Sequence, residues 1–234
     1  MLRSTVAATR EAKVALTNSG FARIGRDSVA PFEQRVKTMM RSMLAAGLMA
    51  CATAAAWAQA PTPPEVVVTK CALCHGEKGE SAGEEFPRLA AQHEAYLAKE
   101  LRDFKAGRRE GLMVRMVRGL SEEDIVAIAR YYAAQPAPPA APAPTELAPV
   151  GRFIHLRGNP FSGVPACKAC HGDAGHGNAQ LPRLAGQNVS YLERQIREFT
   201  KRRRTNDNEV MHAVAGKLTA LETRAVAEYL AGLP

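Results

Sequence analysis

The feature that most constrains this chain is a short motif that occurs twice, in which two cysteines are separated by two residues and followed directly by a histidine. The motif reads CALCHG from Cys71 and CKACHG from Cys167. The stretches that follow also match each other, FPRLAAQHEAYLAKELRDFKAG in the first half and LPRLAGQNVSYLERQIREFTKR in the second. A match of this length indicates two copies of one domain rather than the roughly 20–50-residue unit of a solenoid.

Both copies of the repeat have the apolar periodicity of helices. The residues in question are Leu97, Leu101 and Phe104 in the first half and Leu192, Ile196 and Phe199 in the second. Ser121 with Asp124, and Thr219 with Glu222, have the spacing of helix N-caps with capping boxes. No long alternating pattern indicates a sheet, so we predict an all-α fold made of two tandem domains.

The predicted boundaries place the first domain at 61–135 and the second at 150–234. A Pro/Ala-rich linker at 136–149 separates them, and a segment of this composition favours an extended, semi-rigid conformation. Domains of this size have small cores, so each is expected to need an internal group that stabilises it.

Residues 1–60 are predicted to be an export leader with an N-terminal extension. A basic region with Lys37 and Arg41 precedes an apolar stretch and an A-x-A cleavage site that ends at Ala60. A methionine at 39, 40 or 43 is a candidate for the true start. Cys51 loosely fits a lipoprotein cleavage site, so a lipid anchor is a minor alternative to a periplasmic protein without one.

The spacing C-x-x-C-H is the attachment signature of a c-type haem, because two thiols on one turn can each bond one vinyl group of a single porphyrin. The histidine that follows can then bind the iron. The predicted thioether positions are Cys71, Cys74, Cys167 and Cys170, and the predicted proximal ligands are His75 and His171. A zinc site needs four ligands and a thioredoxin-type dithiol accompanies a βαβ pattern, so both alternatives are disfavoured.

The sixth ligand of each iron is predicted to be a methionine, since a thioether opposite histidine raises the reduction potential. Met113 and Met211 each lie eight residues before a predicted N-cap. Met116 competes with Met113, and His93 and His212 are further alternatives. His155 and His176 are expected at the surface or in loops.

Pro87 and Pro182 occupy matching positions after the two motifs. Each carbonyl could accept a hydrogen bond from the histidine Nδ1–H and so orient the iron ligand. The alternative is that each proline only breaks the chain before the next helix.

Taken together, these motifs resemble those of the di-haem class I cytochromes c of the cytochrome c4 family. The stretches CALCHG, FPRLAAQ, LSEEDIVAIARYYA, GVPACKACHG, LPRLAGQ and AVAEYLAGL carry the resemblance. It implies two cytochrome c domains, each a small helical fold around a covalently bound haem with His–Met ligands, related by a pseudo-twofold axis. It also implies electron transfer in a respiratory chain, from a membrane donor such as a cytochrome bc1 complex to a haem–copper terminal oxidase.

Two features depart from the family pattern. Only PTPPEVVVTK precedes Cys71, so the first helix of the first domain is expected to be short or absent. The proline-rich linker calls close contact between the two haems into question.

The charge distribution bears on the partners. The formal charge is +8, but residues 1–60 hold eight Lys/Arg and three Asp/Glu, which leaves 23 basic and 20 acidic side chains in the rest. This balance does not indicate a nucleic-acid binder. The basic stretch KRRRTN at 201–206 either docks an acidic redox partner or is a solvated helix end.

Three functions remain open from the sequence. The first is an electron carrier without enzymatic activity of its own, whose partners are redox proteins and for which membrane association is an alternative. The second is a cytochrome subunit of a dehydrogenase complex. The third is a peroxidase-like enzyme, which would need an open coordination site on iron.

Overall fold

The computed structural model describes residues 62–140 and 146–234. The predicted leader with Cys51, and residues 141–145 of the predicted linker, lie outside the described residues. In the two described ranges, no helix is both long and apolar enough to span a membrane.

The first half begins with a π-helical turn, Val67–Cys71, which runs directly into the first α-helical turn. Its α-helices are α1 (Ala72–His75), α2 (Glu94–Lys105), α3 (Met113–Val117) and α4 (Glu122–Ala133). The segment before Cys71 is therefore helical but short, as expected from the sequence.

The second half repeats this order and adds one longer helix at its start. Its helices are α5 (Ala148–Arg157), α6 (Lys168–His171), α7 (Val189–Thr200), α8 (Val210–Ala215) and α9 (Ala220–Ala231). Across 62–140 and 146–234 the only β-type pairings are two isolated bridges, so the all-α prediction is confirmed.

The two predicted capping boxes are present. The backbone N–H of Asp124 donates to Ser121 Oγ at 3.0 Å, and the Asp124 carboxylate accepts from the Ser121 N–H at 2.9 Å. Glu222 and Thr219 form the same reciprocal pair at 3.2 and 2.8 Å. These bonds satisfy N–H groups that the first turn of a helix leaves without partners, so α4 and α9 begin where the sequence predicts.

Each half has its own apolar core. In the first half α4 packs on α2, and in the second half α9 packs on both α5 and α7. The crossing of α5 and α9 depends on Gly151, because a Cβ at that position would lie 1.9 Å from the carbonyl oxygen of Ala225. Only a glycine lets the two backbones approach this closely.

The prediction that His155 lies at the surface or in a loop is wrong. The residue is on α5, is fully buried, and its ring lies 5.5 Å from that of Tyr229 on α9. Its Nε2 is 3.1 Å from the carbonyl oxygens of both Gly172 and Asp173. His155 therefore ties α5 to the loop that follows the second CxxCH motif.

The two halves pack directly against each other, so the proline-rich linker does not hold them apart. A buried polar cluster lies where they meet, with Arg109 and Glu100 in contact. Arg109 Nη2 donates to the Tyr191 hydroxyl at 3.2 Å, and Arg204 Nη2 donates to the Tyr96 hydroxyl at 2.8 Å. Arg109 and Arg204 are equivalent positions of the repeat, so this interface has approximate twofold symmetry.

Candidate haem-binding sites

Each CxxCH motif forms a single helical turn. Cys71 closes the π-helical turn, and Cys74 and His75 lie on α1 immediately after it. In the second motif Cys167 is the N-cap of α6, which carries Cys170 and His171. The four motif cysteines form no disulfide, and each pair lies on one turn beside its histidine.

The two histidines are buried and have matching hydrogen bonds. His75 is 6% exposed and its Nδ1 lies 3.0 Å from the carbonyl oxygen of Pro87; His171 is 7% exposed and its Nδ1 lies 3.2 Å from that of Pro182. A carbonyl can only accept, so Nδ1 carries the proton and the Nε2 lone pair is free. Burial lowers the pKa of each imidazole, partly offset by the proline hydrogen bond, which favours the neutral ring that binds a metal.

The thiols do not have the character of a redox-active dithiol. Burial raises the pKa of Cys71 and of Cys167 to about 11, whereas reactive CxxC thiols have lowered pKa values. In the described part of the chain, no group of three or more His, Cys, Asp or Glu side chains is placed to hold a metal ion. The raised pKa of these two thiols therefore disfavours the dithiol alternative.

The two methionines considered for the first half have different environments. Met113 begins α3, is partly buried, and packs against the same apolar core as Cys71. Met116 is 38% exposed. Met113 is thus the better placed thioether on the inner side of the first half.

In the second half, Met211 lies near the start of α8, and its backbone N–H donates to Asp207 Oδ2 at 2.6 Å. The neighbouring His212 uses both ring nitrogens elsewhere, with Nδ1 2.9 Å from the Phe199 carbonyl oxygen and Nε2 3.2 Å from Arg202 Nε.

His93, the histidine alternative in the first half, makes a contact with the other half. Its Nε2 lies 2.8 Å from the carbonyl oxygen of His176, in the other half. His93 and His212 therefore both have ring nitrogens engaged in other contacts.

The donors therefore fit a c-type haem in each half. Each half offers two adjacent thiols for thioether bonds, a neutral imidazole with a free Nε2, and a methionine thioether at the matching position of the repeat.

Two residues that the sequence showed only as repeat matches lie close behind these sites. Gln92 and Gln187 are each 6% exposed and bond across the interface to the backbone of the opposite half. Their one sequence signal is that both copies of the PRLAxQ stretch end in glutamine.

Comparison with known proteins agrees with this arrangement. The cytochrome c family model matches residues 64–134 and 158–234. Cytochrome c4 of Thiocapsa roseopersicina is 41% identical over 167 residues, covering 70% of this chain and 86% of that protein. The crystal structure of reduced recombinant cytochrome c4 from Pseudomonas stutzeri superimposes with a TM-score of 0.68 at 37% identity, covering 71% of this chain and 95% of that one.

A third relative is named as an electron acceptor of an enzyme rather than as a cytochrome. A thiosulfate dehydrogenase electron acceptor of Thiomonas intermedia is 39% identical over 206 residues, covering 83% of this chain and 92% of that protein. Since both halves match the cytochrome c model and the relatives align over most of their length, the chain belongs to the cytochrome c4 family of di-haem class I cytochromes c, which are electron-transfer proteins.

Proposed function

We propose that this chain is a periplasmic electron carrier that delivers electrons in a respiratory chain to a haem–copper terminal oxidase. One observation carries the proposal: both halves place a buried histidine behind two thiols, with Nδ1 hydrogen-bonded to a proline carbonyl. Such a bond fixes the ring orientation and raises the basicity of a metal-binding histidine. When bound, each haem supplies a one-electron iron couple.

The proposed attachments follow the repeat. They are Cys71 and Cys74 with axial His75 and Met113 in the first half, and Cys167 and Cys170 with axial His171 and Met211 in the second. Pro87 and Pro182 hold the two histidines. If a histidine and a methionine both bound the iron, it would have no site for a substrate, which favours electron transfer over the peroxidase-like alternative.

The periplasmic location rests on the leader pattern at residues 1–60. Cleavage after Ala60 would release the two haem-binding halves, whereas a lipid on Cys51 would hold them at the membrane. N-terminal sequencing of the exported protein tests this, because a mature chain that begins at a lipid-modified Cys51 would overturn the unanchored form.

A dehydrogenase is a second candidate partner, as the electron donor. The observation that favours it is the relative named as a thiosulfate dehydrogenase electron acceptor. In this reading the chain would accept electrons from a periplasmic dehydrogenase, in place of a donor such as a cytochrome bc1 complex.

The basic stretch at 201–206 offers less free charge than its sequence indicates. Arg204 is 8% exposed and lies in the interface between the halves. Arg203 pairs with Glu198 at 2.6 Å, and Arg202 pairs with Glu209 at 2.9 Å. If this stretch docks the redox partner, we therefore expect the rate of electron transfer to depend only weakly on salt concentration.

The test begins with the optical spectrum of the purified protein. Two covalent haems per chain, with a ferric methionine–iron charge-transfer band, support the carrier, and a high-spin spectrum without that band would favour the enzyme.

Stopped-flow mixing then separates the partners. Rapid oxidation of the reduced protein by a haem–copper oxidase supports the first proposal. Rapid reduction by thiosulfate dehydrogenase supports that enzyme as the electron donor, and no measurable oxidation by the oxidase would overturn the proposed acceptor.

A further inference from the structure

Two buried glutamines connect each half of the molecule to the backbone of the other. Gln187 Oε1 accepts from the Arg88 N–H at 2.8 Å, and Gln187 Nε2 donates to the Arg88 carbonyl at 3.0 Å. Gln92 pairs with Arg183 in the same way, again at 2.8 and 3.0 Å. Each side-chain amide therefore holds one residue of the opposite half by both its N–H and its C=O.

The N–H that Gln187 binds belongs to a peptide group that also serves the haem site. The Arg88 N–H and the Pro87 C=O are the two ends of one peptide unit, and the Pro87 oxygen accepts from His75 Nδ1 at 3.0 Å. A continuous hydrogen-bonded path thus runs from Gln187 in the second half to His75 in the first.

The other half has the equivalent arrangement, as the approximate twofold symmetry requires. Gln92 in the first half binds the Arg183 N–H, and the same peptide unit presents the Pro182 carbonyl to His171 Nδ1 at 3.2 Å. Two such paths therefore cross the interface, one in each direction.

Hydrogen bonds in such a chain strengthen one another. An acceptor on a peptide N–H shifts electron density toward the carbonyl oxygen of that unit, and cooperative effects of about 10–30% per bond are estimated in condensed phases. A stronger bond at Nδ1 makes the imidazole a more basic ligand, which stabilises ferric iron relative to ferrous iron.

We propose that Gln187 and Gln92 are positioning residues that lower the reduction potential of the haem in the opposite half. The inference rests on the proposed axial roles of His75 and His171. It implies that each potential depends on the contact between the halves, so a partner that separates them would make both haems easier to reduce.

The test replaces one glutamine at a time in the complete di-haem protein. Gln187→Met keeps the length of the side chain and removes the amide, and Gln187→Leu repeats the test with a second apolar shape. Truncation to alanine is avoided, because the gap of about 10 Å³ between Gln92 and Gln187 would then enlarge and could admit a water that replaces the acceptor.

Redox titration followed by NMR assigns each potential to its haem. We expect the reduction equilibrium constant of the first-half haem to rise about threefold in both Gln187 variants. At 59 mV per tenfold for a one-electron couple, this corresponds to about 28 mV. In the ferrous protein, the His75 Nδ1–H and Arg88 N–H signals should move upfield while those of His171 and Arg183 stay in place.

Gln92→Met provides the crossed comparison and should move only the second-half haem. Asn188→Ala is the matched control for a loosened interface. Asn188 Nδ2 donates to the Phe86 carbonyl of the other half at 2.7 Å but makes no bond to the Pro87–Arg88 peptide unit. We expect both potentials to stay at their wild-type values in this variant.

Three results would overturn the inference. The first is a first-half potential that stays constant although the Arg88 N–H signal shows the bond is gone. The second is an equal shift of both haems, and the third is the same shift in Asn188→Ala, since either would mean general opening of the interface. The wild-type titration tests the proposed function separately, because two reversible one-electron steps support that function whatever the variants do.

Discussion

Glu100 supplies the negative charge of the polar cluster buried between the two halves. Its side chain is 8% exposed and contacts the guanidinium groups of Arg109 and Arg204, whose whole side chains are 10% and 9% exposed. The equivalent position of the second half is a neutral glutamine, Gln195. This carboxylate therefore faces two buried cations, and the more exposed Lys99 Nζ lies 3.1 Å from it. Glu100→Gln removes the negative charge with almost no change in shape.

The expected loss of stability is large because the remaining charges stay buried. Removing one partner of a buried ion pair destabilises proteins by about 3–5 kcal/mol. For a domain of roughly 150–250 residues, 1 kcal/mol shifts Tm by about 2–4 °C. We therefore expect the Tm of Glu100→Gln to fall by at least about 6 °C at pH 7, measured by circular dichroism on the di-haem protein.

The pH dependence gives a second check. Burial alone would raise the pKa of Glu100, but Arg204 and Arg109 outweigh it and hold that pKa below its ordinary value of 4.5. A carboxylate with a lowered folded-state pKa makes its full contribution to stability above pH 4.5, the ordinary pKa that it has in the unfolded chain. That contribution is lost as the pH falls through the folded-state pKa. The Tm difference between wild type and Glu100→Gln should therefore narrow below pH 4.5.

A control variant separates the effect of removing a buried charge from the effect of removing an exposed one. Glu122→Gln breaks the contact between Glu122 and Arg102, whose side chains are 56% and 43% exposed, and should leave the Tm near that of wild type. Equal Tm values for Glu100→Gln and wild type at pH 7 would refute the reasoning. So would a Tm difference that stays constant from pH 7 to pH 3.5.

Three further changes test other parts of the structure. Gly151→Ala should destabilise the second half by about 1–3 kcal/mol in thermal unfolding, because the added Cβ meets a backbone carbonyl at 1.9 Å. Gly119→Ala is its control and should unfold like wild type, because the added Cβ meets only the end of a lysine side chain at 3.7 Å. Thr219→Ala removes the α9 capping box and should lower the unfolding free energy by about 1 kcal/mol, and an unchanged midpoint in denaturant would show the cap to be dispensable. Met113→Leu should abolish the charge-transfer band of one haem and Met116→Leu should retain it, so the opposite outcome would reassign the ligand.

Much of the fold was predictable from the sequence because the signals are local. The two capping boxes lie within four residues each, and the helix starts they predict at Ser121 and Thr219 are confirmed. The repeat and the two CxxCH motifs pointed to the cytochrome c fold and to two haems, because covalent attachment requires two thiols and a histidine on one turn.

What the sequence could not predict involves contacts between distant residues. Spacing along the chain did not reveal that His155 would face α9, or that Arg204 in a run of basic residues would turn into the interface. Helix α5 carries a weak apolar pattern, so its buried face became evident only in its packing on α9.

The two glutamines that form hydrogen bonds across the interface are the clearest case. The sequence by itself determined the chemistry of each site, because thiols, imidazole and thioether follow from residue type and short spacing. Only the tertiary structure decided that Gln187 would reach the peptide beside His75. A side-chain amide can bond any exposed peptide group, and the packing of the two halves selects which one it meets.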